Sequence, residues 1–213
     1  MKGSPGTKAI LLIVLLLVLD QALKIWIKTH MIIGQEFRIL GDWFIIHFTE
    51  NNGMAFGMEL GGETGKLILS LFRLVAVVGI GWWIRLLVRQ KAPQGFVLSL
   101  SLIFAGALGN IIDSTFYGAL FGDSYFKVAA MFPEGGGYAP LLHGKVVDML
   151  YFPLITGHFP NWLPLWGGEQ FIFFRPVFNI ADSAITIGVL IILLFHRKYL
   201  TESEGQTSRG FLS

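Results

Sequence analysis

Residues 9–27 read AILLIVLLLVLDQALKIWI, an apolar run broken only by Asp20, Gln21 and Lys24. A helix of about 20 apolar residues is long enough to cross the hydrocarbon core of a bilayer. The lysines ahead of the run are typical of a secretory signal peptide, but no small-x-small cleavage site follows it. We therefore expect a retained membrane-spanning helix over residues 9–27.

Three further apolar windows have the length of a span, at about 67–84, 95–112 and 176–195. In the last of these, Pro176 suits the first position of a helix. Charged residues make up 14% of the chain, whereas a soluble domain usually carries about 25%. The sequence therefore predicts an all-α membrane protein with four transmembrane helices, organised as a single membrane domain over residues 1–213.

The composition also argues against several classes of site. The chain has no cysteine, which excludes disulfides and thiolate chemistry. Its five histidines are scattered without the spacing of metal ligands, so we expect no metal and no cofactor. The net charge of +2, with no cluster of basic and aromatic residues, argues against a nucleic-acid partner.

The distribution of lysine and arginine predicts the orientation of the spans, because cytoplasmic segments are enriched in these residues. They are dense in the N-terminal segment, in the short loop after the second span and in the C-terminal tail: Lys2, Lys8, Arg85, Arg89, Lys91, Arg197, Lys198 and Arg209. The two longer connections, about 29–66 and about 114–175, hold fewer basic residues for their length. We expect both termini in the cytoplasm and these two connections outside it.

The two outer connections differ in character. The first is rich in β-branched and aromatic residues between Phe37 and Phe48 and is followed by the turn signal Asn52-Gly53. It predicts a small β-rich extracytoplasmic segment. The second is rich in glycine, proline and aromatic residues, and we expect a long extracytoplasmic loop that lies on the membrane surface or caps a site.

Ionisable and amide side chains in or beside the spans are the candidates for function, because such groups are costly at membrane depth. Each also has a structural explanation. Asp20 and Lys24 stand four residues apart, the spacing of an intrahelical ion pair. Asn110 and Asp113 close the third span, where an alternative is hydrogen bonding to a neighbouring helix.

The remaining candidates are Asn179, Asp182 and Asp148. From a helix start at Pro176, Asp182 would lie about 9 Å below the outer end of the fourth span, and a buried structural acid is the alternative. Asp148 has apolar neighbours on both sides, so its stretch is expected to dip into the interface; taken alone, it is an ordinary loop acid.

Three of these acids, Asp113, Asp148 and Asp182, are predicted at the outer boundary of the bilayer. Two carboxylates that share a proton can act as general acid and general base on one water molecule. This chemistry hydrolyses an amide without metal, cysteine or serine. A Ser–His mechanism is the alternative, although the chain has no Gly-x-Ser-x-Gly elbow.

Five short motifs resemble those of the lipoprotein signal peptidases, the bacterial type II signal peptidases, which are intramembrane aspartic proteases. They occur in the family's order: Asp20-Gln21-x-x-Lys24, Asn51-x-Gly53-x-Ala55-Phe56-Gly57, Gly106-Ala107-Leu108-Gly109-Asn110-x-x-Asp113, Gly144-x-Val146-Val147-Asp148 and Phe178-Asn179-x-Ala181-Asp182. Each motif is weak alone, but all five in order on a frame of four spans are specific.

The resemblance implies that Asp148 and Asp182 are the catalytic pair. It implies a supporting or substrate-holding role for the polar residues and the glycine of the other motifs: Asp20, Lys24, Asn51, Gly53, Asn110, Asp113 and Asn179. The first outer segment would be the family's β-rich cradle on the membrane surface. The implied partners are lipid-modified prolipoproteins and membrane lipids, and the implied setting is a monomer in the bacterial inner membrane with its site near the outer face.

Two departures from the family pattern stand out. Ser114 follows Asp113 where the family has arginine, which leaves Lys145, Arg175 or hydrogen bonds to supply the missing charge. About 30 residues, 114–143, separate the third and fourth motifs where the family has a few.

Two other functions remain as alternatives. A small transporter or proton-relay subunit would also use intramembrane acids, but a relay needs them across the whole bilayer and here they gather towards one side. A non-catalytic assembly factor would use the outer loops to bind partners.

Overall fold

The structure of the chain, a computed structural model, describes residues 3–53, 62–173 and 175–199. Its helices are α1 (Pro5–His30), α2 (Gly62–Arg89), α3 (Gln94–Ile112), α4 (Gly118–Leu120) and α5 (Ile180–Phe195). A π-helical turn, Asp113–Tyr117, joins α3 to α4. The strands are β1 (Glu36–Leu40), β2 (Phe44–Asn51), β3 (Val146–Tyr151), β4 (Ile155–His158), β5 (Gln170–Phe173) and β6 (Val177–Phe178).

Three helical stretches of the described chain are long and apolar enough to cross a membrane: Pro5–His30, Thr64–Arg89 and Gln94–Leu120. The predicted spans 9–27, 67–84 and 95–112 fall inside them. The exposed faces of α1 and α2 carry large apolar side chains such as Leu15, Phe72 and Val75, as expected of a helix surface that meets lipid.

The start of the last helix corrects the expectation for residues 176–195. Val177 and Phe178 pair with Tyr151 and Leu150 of β3 in an antiparallel ladder, so helix α5 begins at Ile180 and Pro176 is not its first residue. The backbone groups of this segment are used in the sheet before the helix starts. Asp182 therefore lies in the first turn of α5, about 3 Å along its axis instead of about 9 Å.

A four-stranded antiparallel sheet has the order β1-β2-β3-β6. The predicted β-rich segment is confirmed in β1 and β2. Their turn lies at residues 41–43, whereas Asn52 and Gly53 follow β2. Residues Ala55, Phe56 and Gly57 of the second motif lie outside the described residues. The second outer connection is not a simple loop, because it supplies β3 to this sheet and forms the separate β4–β5 hairpin.

The described residues form two compact units. The first, the helical unit, combines the chain up to Leu19, Phe72–Gly109 and the chain from Ile180. Its core consists of apolar side chains from four helices: Ala9, Ile84, Leu87, Phe96, Val97, Leu100 and Ile192. The second, the sheet unit, combines Asp20–Leu71 and Asn110–Asn179. Its core consists of Ile27, Met31, Ile46, Phe48, Tyr117, Phe121, Ala129, Val147 and Met149.

Within the helical unit, α3 and α5 approach so closely that glycine is required at the contact. A Cβ atom on Gly106 would lie 2.2 Å from the carbonyl oxygen of Ala181, and one on Gly188 would lie 2.6 Å from that of Ser99. Small residues at helix contacts let backbones approach in this way in membrane proteins. The sequence signal for a close helix contact is the set of small residues in the third span, Ala105, Gly106, Ala107 and Gly109.

Within the sheet unit, the two ends of the 114–143 insertion lie side by side. The carbonyl oxygens of Ser114 and Thr115 in the π-helical turn accept hydrogen bonds from the N–H groups of Gly144 and Leu142, at 2.9 and 3.0 Å. A Cβ on Gly144 would lie 2.2 Å from the carbonyl oxygen of Asp113. The long insertion therefore closes on itself and delivers β3 directly beside the end of α3.

We predict that Gly106→Ala lowers the stability of the protein, since the Ala181 carbonyl oxygen belongs to a helix backbone and cannot step aside. Overpacking of this kind costs about 1–3 kcal/mol. The measurement is the thermal unfolding midpoint of the purified protein in detergent. The matched control is Gly79→Ala on α2, where a Cβ meets no atom within 4 Å and Tm should hold or rise slightly. Equal midpoints for the two variants would contradict the tight α3–α5 contact.

Candidate active site

Asp148 lies on β3, a central strand of the four-stranded sheet, opposite Thr49 of β2. Its neighbours Val147 and Met149 are both in the core of the sheet unit, so Asp148 points to the opposite face of the strand. The side chain is nevertheless almost fully buried, with 2% of the residue exposed. The expectation of a loop acid is thus wrong: Asp148 lies on a strand, whose pairing fixes its backbone.

Two carboxamides donate hydrogen bonds to the Asp148 carboxylate, one to each oxygen. Asn179 Nδ2 donates to Oδ1 at 2.6 Å, and Asn51 Nδ2 donates to Oδ2. Asn51 is the last residue of β2, and Asn179 lies between β6 and α5. With one donor at each oxygen, this pair of amides fixes the orientation of the carboxylate.

Gly53 explains the spacing of the Asn51-x-Gly53 motif. The Oδ1 atom of Asn51 accepts a hydrogen bond from the Gly53 N–H, which leaves the Asn51 NH₂ group directed at Asp148. Gly53 has φ +84°, a left-handed conformation that glycine adopts without steric cost. The turn therefore locks the amide of Asn51 in the orientation that Asp148 needs.

A buried charge cluster lies where α1 meets the end of α3. Lys24 Nζ is 2.9 Å from Asp20 Oδ2 and 2.8 Å from Asp113 Oδ2, and all three side chains are buried. The expected Asp20–Lys24 ion pair is confirmed, and Asp113 is its third member. Gln21 adds a hydrogen bond from Nε2 to Asp113 Oδ1 at 2.9 Å. The buried ammonium is thus compensated by two carboxylates.

Asn110 connects this cluster to Asp148. Its Oδ1 atom accepts hydrogen bonds from Lys24 Nζ at 2.9 Å and from Asn179 Nδ2 at 3.2 Å, and Asn179 in turn holds Asp148. Seven of the predicted site residues therefore form one hydrogen-bonded network within the sheet unit: Asp20, Lys24, Asn51, Asn110, Asp113, Asp148 and Asn179. Gly53 joins it through Asn51.

Asp182, the remaining predicted site residue, belongs to the helical unit. It is half-buried in the first turn of α5 and interacts electrostatically with the Arg73 guanidinium on α2. Arg73 lies on the inward stripe of that helix, between buried Ser70 and Val77. Sequence reasoning missed the role of Arg73, although an arginine inside an apolar span is a signal of an internal partner.

A second buried ion pair was not predicted. Lys28 Nζ contacts Glu50 Oε1 and donates to Ser124 Oγ at 2.9 Å, and the Tyr138 ring centroid lies 4.8 Å from the same nitrogen. Glu50 directly precedes Asn51, while Ser124 and Tyr138 come from the 114–143 insertion. The insertion therefore covers a buried lysine on α1 and supports the strand end that carries Asn51.

Lys145 and Arg175 were the residues predicted to replace the positive charge of the family's arginine. The structure supplies positive charge near the acids from other residues. Lys145 Nζ lies 3.8 Å from Glu50 Oε2 and faces the Tyr125 ring at 5.2 Å, and Arg175 is exposed. The cation beside Asp113 is Lys24, and the one that interacts with Asp182 is Arg73. Ser114 itself is buried, and its carbonyl anchors Gly144.

The carboxylates of the network are not arranged as metal ligands. Within residues 3–53, 62–173 and 175–199, no three His, Asp, Glu or Cys side chains are grouped as a metal ion would require. The acids of the buried cluster face an ammonium group and amides instead, partners that suit carboxylate hydrogen bonding and proton chemistry.

Comparison with known proteins matches the chain to one family. The profile of signal peptidase (SPase) II matches residues 12–197. A protein named lipoprotein signal peptidase from Porphyromonas gingivalis (strain W83) is 56% identical over 184 residues, covering 86% of this chain and 80% of that protein. A protein of the same name from Amoebophilus asiaticus (strain 5a2) is 38% identical over 188 residues, covering 86% and 75%.

A solved structure is also similar to this chain. A bacterial membrane enzyme determined by the in meso method at 2.3 Å resolution is 28% identical and superposes with a TM-score of 0.56, covering 92% of this chain and 91% of that one. The matched segment runs from the first predicted span to the end of α5 and contains all five motifs. The chain therefore belongs to the signal peptidase II family, which confirms the resemblance carried by its motifs.

Proposed function

We propose that this protein is an aspartic endopeptidase that removes the signal peptide from diacylglyceryl-modified prolipoproteins, cleaving just before the lipid-bearing cysteine. The observation that carries the proposal is the Asp148 carboxylate, buried on a central strand and held by two asparagine amides, in a chain of the signal peptidase II family. Relatives named lipoprotein signal peptidase support the choice of substrate.

Asp182 is the proposed partner of Asp148. Asn179 donates a hydrogen bond to Asp148 at 2.6 Å and lies three residues before Asp182 in the chain. One short segment therefore contains both Asp182 and an amide that orients Asp148. Asp182 lies in the first turn of α5 and has a cationic neighbour in Arg73. An acid at a helix N-terminus is also favoured by the helix dipole.

The proposed reaction uses the two carboxylates on one water molecule. One is ionised and takes a proton from water as the oxygen attacks the scissile carbonyl; the other is protonated and donates a hydrogen bond to the carbonyl oxygen. The tetrahedral intermediate then collapses as the pair passes a proton to the leaving amine.

The other network residues position this chemistry. Asn51 and Asn179 orient Asp148, and Asn110 ties Asn179 to the Asp20–Lys24–Asp113 cluster. The apolar helices would admit the diacylglyceryl chains from the bilayer. We propose four spans with α5 as the last, both termini in the cytoplasm, and a monomer of the bacterial inner membrane whose sheet forms a cradle at the outer face.

The transporter and assembly-factor alternatives lose support from these observations. The buried acids of the sheet unit gather around a lysine and two asparagines instead of forming a relay. Family membership assigns the chain to peptidases.

Replacing either proposed catalytic acid by its amide should abolish processing. Asp148→Asn and Asp182→Asn keep the side-chain volume and remove the proton chemistry, with an expected loss of about 10²–10⁴-fold in rate. The measurement is cleavage of a diacylglyceryl-modified precursor by purified protein, followed on a gel. Asp42→Asn is the control, because Asp42 is an exposed acid at the β1–β2 turn. Full processing by either catalytic variant would refute the dyad.

Arg73 is expected to orient Asp182 during turnover. Arg73→Met removes the charge at similar length and should lower kcat by about tenfold, which corresponds to about 1.4 kcal/mol, with little change in KM. Arg73→Lys should restore part of the rate, since it returns a cation to the inward stripe of α2. Both constants are measured with a lipopeptide substrate in detergent. A wild-type kcat for Arg73→Met would show that Asp182 does not need this cation.

A further inference from the structure

The β4–β5 hairpin ends in a compact tip, residues 159–168, that is built with its own backbone hydrogen bonds. The Gly168 N–H donates to the Phe159 carbonyl at 3.0 Å, and the Gly167 N–H donates to that of Leu163 at 2.9 Å. A Cβ on Gly167 would lie 2.7 Å from the Asn161 carbonyl oxygen, so glycine is required for this closure. The tip is an ordered element of the sheet unit.

This ordered tip presents its large apolar side chains outward. Trp162 is 78% exposed, Leu165 87% and Trp166 54%. Leu165 has φ +78°, a conformation that costs free energy in a residue with a branched side chain and marks functional positions more often than others. A cluster of exposed large apolar side chains of this kind is a candidate binding surface.

The chemistry of the tip indicates what it binds. Residues 159–168 read FPNWLPLWGG and carry no charge, while His158 and Glu169 border them at the hairpin stem. Tryptophan beside leucine, with charged residues set back, is the composition of segments that lie at the boundary between lipid headgroups and acyl chains. A docking site for a peptide or protein would be expected to offer charged or hydrogen-bonding groups at its rim.

A further exposed tryptophan of the sheet unit lies close to the chain that leads into the hairpin. The Trp43 ring at the β1–β2 turn is exposed, and its centroid lies 6.3 Å from that of Phe152, three residues before β4 begins.

We propose that the β4–β5 tip inserts into a lipid leaflet, with Trp162, Leu165 and Trp166 as its anchor. The anchor is a membrane contact additional to the spanning helices. It does not depend on the peptidase activity.

The absence of cysteine from the chain allows a direct test by spin labelling of the full-length protein. The variant L165C carries a nitroxide in vesicles of phosphatidylethanolamine and phosphatidylglycerol, and its collisions with oxygen and with a water-soluble nickel complex are compared by power saturation. L15C on the exposed face of α1 calibrates the bilayer interior, and E134C in an exposed charged loop calibrates water.

The label at residue 165 is expected to collide more with oxygen than with nickel, as at residue 15 and unlike residue 134. Adding W162S and W166S should shift it towards the nickel-accessible state while L15C on the same background stays unchanged. A label at 165 that behaves like E134C would overturn the proposal and leave the tip to a protein partner. A label that stays in lipid without the two tryptophans would refute their role as the anchor.

Discussion

The buried ammonium group of Lys24, placed between the carboxylates of Asp20 and Asp113, is the interaction on which the site depends. Transfer of each ion from water costs several kcal/mol, which the attraction within a buried pair recovers only when the geometry is good. A buried charge that loses its partner is therefore strongly destabilising. Because Asn110 is bonded to Lys24 and Asn179 to Asn110, the orientation of the Asp148 carboxylate is coupled to this one buried cation.

Helix α1 carries a second buried lysine, Lys28, one turn after Lys24, and this lysine is also paired with a carboxylate. Asp20, Lys24 and Lys28 are spaced four residues apart and share one face of α1. Such a stripe could not face lipid. The π-helical turn and β2 cover it, and the 114–143 insertion supplies Ser124 and Tyr138 to the Lys28 end. The insertion that departs from the family pattern thus has a physical function: it completes the burial of a charged helix face and holds the Glu50–Asn51 strand end.

The sequence predicted most of what local chemistry determines. Apolar runs predicted α1, α2 and α3, and the motifs singled out the amides and acids that form the network around Asp148. It did not predict β6, since Val177 and Phe178 are as apolar as a helix start and only pairing with β3 makes them a strand. The partners of Glu50 and Arg73 were missed for a related reason. An ion pair between distant segments leaves no mark in the local pattern of either one.

Helix α5 has 16 residues, or about 24 Å of axial rise, against a hydrocarbon core of about 30 Å. As the fourth span we propose, it is too short for an undistorted bilayer, and a short helix is accommodated by thinning the lipid around it. Thinning lowers the headgroup region towards the first turn of the helix, where Asp182 lies. Hydrolysis inside a membrane needs a supply of water, and the mismatch would bring the aqueous boundary to Asp182, the acid proposed to react.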